Sequence, residues 1–141
     1  MNLVIDTNII VAGLLTPFGN SAEILRLFAN RKLTICYDSR ILTEYYEVLK
    51  RPKFDFDKEK ISSILKEIEL SGELIIGIPL KESLPDPDDN MFLEVALAGN
   101  VECIITGNLN HFPQNSCFGI PIFSPSEFVN YYKEKSIDQG N

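Results

Sequence analysis

Short apolar runs alternate with amphipathic stretches along the whole chain. Leu3–Asp6 reads as a first strand, and Asn8–Leu15 as a helix that stops before Pro17 and Gly19. Ser21 caps a second helix running to about Asn30, with Ala22, Leu25, Phe28 and Ala29 on its inner face. Leu33–Tyr37 is a second strand, and Ser39 or Asp38 caps a helix that ends before Arg51-Pro52. Lys58–Leu70 repeats apolar pairs at a helical period and closes at Ser71-Gly72; Leu74–Ile78 follows as strand three. The Pro85-Asp86-Pro87 turn starts a helix over Asp88–Ala98, closed by Gly99-Asn100. Glu102–Thr106 is strand four, Ile120–Phe123 a short strand five, and Pro125–Lys133 a last helix. Strands alternating with helices predict an α/β fold, a three-layer αβα sandwich around a parallel sheet. Residues 1–135 form one domain in this reading, and 136–141 a frayed tail.

Composition narrows the class. Hydrophobic residues make up 45% and charged residues 23%, the balance of a soluble globular protein with a real core. No apolar run approaches the roughly 20 residues that span a bilayer. No basic leader precedes the first strand, so a cytoplasmic protein is expected. The three cysteines, Cys36, Cys103 and Cys117, show no metal-type spacing and read as reduced, mostly buried thiols. A net charge of −7 argues against tight non-specific nucleic-acid binding through a basic surface. The charge is uneven, however. Lys50, Arg51, Lys53, Lys58, Lys60 and Lys66 cluster mid-chain, and no Lys or Arg stands between Glu82 and Tyr132. A basic patch beside an acidic pocket fits this distribution, and so does a solvated helix face.

Four side chains then stand out, because a plain structural residue would serve better at each place. Asp6 ends the apolar run Leu3-Val4-Ile5, and Asn108 follows Cys103-Ile104-Ile105-Thr106 across Gly107. Both fall at carboxyl ends of strands, where parallel sheets bind ligands. Asp6-Thr7-Asn8 fits a helix cap and a site alike. Glu44 borders the apolar arc of Ile41, Leu42, Tyr45, Tyr46, Val48 and Leu49, as a surface glutamate also can. Asp89, three residues before Phe92 and seven before Ala96, lies over the inner stripe of its helix. The helix dipole explains an acid there, but not its inward face. Asp86 and Asp88 read as caps or as supports around the site, Asp86 more so. The one histidine, His111, excludes a multi-histidine zinc site. Buried carboxylates need a cation, and oxygen donors suit Mg²⁺ or Mn²⁺, which act on phosphoryl groups and on bound water.

The order of these motifs resembles the PIN-domain ribonucleases, and above all the VapC-type toxins of prokaryotic toxin–antitoxin systems. The residues that carry the likeness are Val4-Ile5-Asp6-Thr7-Asn8, Ile41-Leu42-Thr43-Glu44, Asp86-Pro87-Asp88-Asp89 and Ile105-Thr106-Gly107-Asn108. Ile122-Phe123-Ser124-Pro125-Ser126-Glu127-Phe128 resembles one PIN subgroup, so the likeness spans nearly the whole chain. It implies a five-stranded parallel sheet, Mg²⁺- or Mn²⁺-dependent cleavage of RNA, a homodimer and a small antitoxin partner. Asp6, Glu44 and Asp89 match the three main acidic, catalytic positions and, with Asn108, hold the metal; Asn108 takes a place that is often Asp. His111 stands where many members carry another Asp. Asn8, Asp86 and Thr106 support the site from its margin. The competing reading is a catalytically weakened PIN-like module that binds RNA or a protein partner, motivated by Asn108 and His111. Other phosphoryl-transfer folds fit less well. Asn8 replaces the second Asp of a phosphatase Asp-x-Asp, no late lysine serves a response-regulator receiver, and no glycine-rich turn follows strand one.

Overall fold

The computed structural model describes residues 1–139. In chain order its elements are β1 (Asn2–Ile5), α1 (Thr7–Leu15), α2 (Asn20–Ala29), β2 (Thr34–Tyr37), α3 (Ser39–Leu49), α4 (Lys58–Ser71), β3 (Glu73–Leu74), α5 (Asn90–Ala98), β4 (Cys103–Ile105), β5 (Ile122–Phe123) and α6 (Pro125–Gln139). The strands form one sheet in the order β3-β2-β1-β4-β5, and every pairing is parallel. This is the expected αβα architecture with five strands. Leu3, Val4 and Ile5 of β1 and Cys103, Ile104 and Ile105 of β4 are all fully buried, as continuous apolar strands at the centre of a covered parallel sheet must be. Helix α5 packs on β1, β2 and β4, while α4 covers β2 and β3. No helix among the described residues is long and apolar enough to cross a membrane. All three cysteines are buried free thiols.

The element ends differ from the sequence reading for identifiable reasons. Asp6 follows β1 and takes the extended N-cap position of α1. Gly19, not Ser21, caps α2, and Ser21 is buried in the first turn. At α3 the cap is Asp38, whose carboxylate accepts from the Ile41 amide at 3.0 Å. Helix α4 closes at Gly72, where a Cβ would lie 2.3 Å from the Ile68 carbonyl oxygen. The helix expected from Asp88 begins instead as a 3-10 turn over Pro87–Asp89. Helix α6 runs past Lys133 to Gln139, so it takes in residues 136–139 of the expected tail; residues 140 and 141 lie outside the described residues. Tyr131 and Lys135 hold this helix by donating to Glu102 at 3.0 and 2.7 Å.

Strand three is the largest departure. Only Glu73–Leu74 pair with β2, and Ile76 and Ile78 are exposed. The chain leaves the sheet because a side chain captures it. Glu94 of α5 accepts from the Leu80 amide at 3.2 Å, and Gly77 passes close to Arg40 and Glu94. Glu94 is itself buried and paired with Arg40 at 2.8 Å, and Arg40 also meets Asp38 at 2.7 Å.

This network generates an expected outcome. Glu94→Ala leaves the Leu80 amide and one side of Arg40 without a partner and destabilises the fold by about 2–3 kcal/mol, read by urea denaturation. A variant as stable as the parent would show the network to be incidental.

Candidate functional site

The site is assembled by one strand pairing. β1 and β4 lie in parallel with Ile5 opposite Ile105, so the residues that follow each strand emerge together at the carboxyl edge. The Asp6 amide continues the ladder to the Ile105 carbonyl at 2.9 Å. Thr106, with no exposed surface, donates its hydroxyl to Asp6 Oδ2 at 2.9 Å and accepts from the Asn108 amide at 3.0 Å. One hydroxyl therefore orients the acid and pins the turn after β4.

Helix α3 delivers Glu44 to the same edge. Its neighbour Tyr45 is fully buried and donates its phenol to the Ile5 carbonyl at 2.6 Å. That anchor fixes the helix against the end of β1, and Glu44 accepts from the Thr7 hydroxyl. Asp89 arrives from the 3-10 turn before α5, whose start is set by Asp86 accepting from the Asp88 amide at 2.9 Å with Pro87 in the first position. Phe92, one turn on, meets Phe112 edge-on at 6.5 Å. This contact presses the loop after β4 onto α5, and His111 in that loop places Nδ1 3.0 Å from Asp89 Oδ2.

The electrostatics are unfavourable to the charged acids. Burial raises the pKa of Asp6, and the Thr106 hydroxyl only partly offsets it. Burial likewise raises Glu44, with the Thr7 hydroxyl opposing and the charge of Asp6 adding to the rise. Asp89 is pushed up to about 6, first by burial and then by the charge of Asp6, with His111 opposing. Asp89 Oδ2 is buried. Its one candidate partner among the described residues is the His111 nitrogen at 3.0 Å, which opposes the rise by charge and by hydrogen bonding but does not offset the burial. No Lys or Arg forms an ion pair with any of the three acids among the described residues.

This arrangement fits a hard divalent cation. A buried carboxylate pushed up by its surroundings, with two further acids near enough for charge to act between them, is an arrangement that a divalent cation would relieve. The ligand atoms of Asp86, Asp89 and His111 lie within 4.8 Å of one another. Among the residues singled out in the sequence, Asp6 is near enough to act by charge on both Glu44 and Asp89, but the tight group holds neither Asp6 nor Glu44 and draws in Asp86 and His111 instead; Thr106 links Asp6 to Asn108. Asn108 joins through its backbone amide, and Asn8 is exposed on α1. Sequence reasoning missed the contact of His111 with Asp89, which depends on the packing of Phe112. It also missed the buried Glu94, although an acid inside Leu93-Glu94-Val95 was a visible signal.

A PIN domain family profile matches residues 2–110, well over half of the chain. Among solved structures the chain is similar to VapBC2 from Rickettsia felis, crystallised bound to a DNA fragment from their promoter. The TM-score is 0.55 at 18% identity, covering 88% of this chain and 98% of that one, a likeness of fold. No curated protein matches it in sequence.

The raised acids imply a conflict between stability and charge. The folded value of Asp89, about 6, lies above its ordinary 3.8. Its stabilising contribution is thus complete below about pH 4 and is lost as pH rises through 6. At pH 7.5 the metal-free protein holds this carboxylate charged against its surroundings. Asp89→Asn is expected to stabilise the protein in EDTA at pH 7.5 by about 1–3 kcal/mol, a gain that falls below pH 6 and is gone by about pH 4. Destabilisation at pH 7.5 in urea titrations would contradict this assignment.

Proposed function

The chain belongs to the PIN domain family, and from that premise we propose that it is a Mg²⁺- or Mn²⁺-dependent endoribonuclease. The observation that carries the reading is the buried Asp89 carboxylate beside Asp6, with no basic side chain other than His111 paired to it among the described residues. Asp6, Glu44 and Asp89 hold the ion, and Asn108 adds an uncharged oxygen. When bound, the ion supplies charge against phosphoryl oxygens and lowers the pKa of attacking water.

The chain's own groups do the rest. The Thr106 hydroxyl fixes the Asp6 carboxylate, so the acid needs little reorganisation to hold a cation. Thr7 steers Glu44. Glu44 is only half-buried and is the acid that solvent reaches, so it is the group that takes a proton from water. Asp86 and Asn8 act at the margin.

The likeness to VapBC2 supports reading the chain as the toxin of a toxin–antitoxin pair, with a small antitoxin protein, a homodimeric state and a cytoplasmic setting as parts of the same proposal. The second reading, a weakened PIN-like module that binds RNA or protein without cutting, is favoured by Asn108 and by the pairing of His111 with Asp89.

Purified protein with a mixed, structured RNA and Mn²⁺ separates the two readings. Cleavage is expected, with loss in EDTA and a fall of at least about a hundredfold in Asp6→Asn at unchanged circular dichroism. Parent-like turnover by a folded Asp6→Asn would remove Asp6 from the site. Metal binding without any cleavage would establish the non-cutting module.

A further inference from the structure

Helices α3 and α4, with the Arg51–Asp57 connection between them, enclose an open groove of about 910 Å³. Lys50, Arg51, Lys58 and Lys66 line it, against the two acids Asp55 and Glu69. The groove is thus net positive on a chain of net charge −7. None of its cations is held by a carboxylate among the described residues, although Lys50 donates to the Tyr46 hydroxyl. Arg26, Arg40 and Lys135 each pair with carboxylates, whereas none of these four forms an ion pair among the described residues. Four cations with no carboxylate partner among the described residues, in one groove of an acidic protein, suit a polyanion.

The lining is not only basic. Tyr46 and Phe56 contribute rings, and Tyr46 is 46% exposed with Lys50 Nζ 3.7 Å from its ring centroid. Phe56 is half-buried and stacked on Phe54, which leaves its other face as a platform. An exposed and a half-buried ring interleaved with cations suit unpaired bases and their phosphates, whereas a duplex hides its base faces. The groove lies beside the acidic edge, although none of Asp6, Glu44 and Asp89 lines it. Thr43 lines it immediately before Glu44, and Arg51 is near enough to act electrostatically on the Glu44 carboxylate. Between Glu82 and Tyr132 there is no Lys or Arg, so the elements bearing Asp89 and Asn108 offer a phosphate backbone no such cation of their own.

We infer that the α3–α4 groove is a track for single-stranded RNA, in which Arg51, Lys58 and Lys66 hold phosphates and Tyr46 and Phe56 stack bases, leading the strand to Glu44. The direction of the track rests on the nuclease reading; the binding surface does not.

Fluorescence anisotropy with a short labelled single-stranded RNA tests it, in an Asp6→Asn background so that the probe is not cut. Arg51→Gln/Lys58→Gln/Lys66→Gln is expected to weaken binding at least about tenfold at low salt. The slope of log Kd against log salt should fall by about 2, three contacts at about 0.7 each. A charge-matched control, Arg31→Gln/Lys32→Gln/Lys133→Gln, should keep parent-like affinity and slope. Equal losses in both triple variants would reduce the effect to overall charge and overturn the track. So would duplex RNA binding as tightly as single strands, or an altered sedimentation of the groove variant with RNA affinity kept, which would make the groove a protein contact. The two proposals fail separately. RNA held through the groove by a parent protein that never cuts leaves the track and sinks the nuclease. Cleavage by the parent with undiminished binding by the groove variant does the reverse.

Discussion

The hydrogen bond from Thr106 to Asp6 joins residues 100 positions apart, and the candidate site hangs on it. It exists because β1 and β4 pair in parallel with Ile5 opposite Ile105. A slip of one residue would turn Asp6 and Thr106 to opposite faces and bury the wrong set of side chains. The register is guarded by six fully buried apolar residues on the two strands, so the position of the acid is set by the hydrophobic core beneath it. The same hydroxyl holds the Asn108 turn, which makes the loop after β4 part of the same rigid edge.

Two groups of buried acids in this protein are treated differently. Asp38 and Glu94 are satisfied by Arg40, and the three together cap α3 and draw the segment after β3 off the sheet. At the carboxyl edge no arginine or lysine forms an ion pair with the acids among the described residues, although the burial is similar for Asp6 and Asp89. Only His111 faces Asp89, and Asp89 still titrates near 6. A fold that neutralises buried acids in one place and leaves them acting on one another in another is what the proposed cation site at the carboxyl edge requires.

Helix α3 joins these parts because its faces have separate duties. Tyr45 enters the core and seals the helix to the end of β1. Glu44, one position earlier, is carried to the acidic edge, and Tyr46 and Lys50 are turned to the groove shared with α4. At 100° per residue, neighbours in sequence must diverge in this way. A single well-anchored phenol therefore sets the position of a carboxylate and of a basic groove together.

Much of this was legible in one dimension. Apolar runs and helical periods carry local information, and they marked the alternating elements, the inward face of Asp89 and the acids at strand ends. The amino-acid sequence by itself determined the αβα architecture, because continuous Val/Ile/Leu runs are stable only in the middle of a covered parallel sheet. It did not determine where β3 stops, since that depends on a carboxylate of α5 catching the Leu80 amide, nor how far α6 runs, since Glu102 anchors it from before β4. It marked His111 only as a departure from a family pattern, and Phe112 packing on Phe92 brought that imidazole to Asp89. Periodicity survives in a string because it is a property of near neighbours. Which acids meet, which cation answers them and which are left unpaired is decided by contacts between distant segments, and only the folded core brings those segments together.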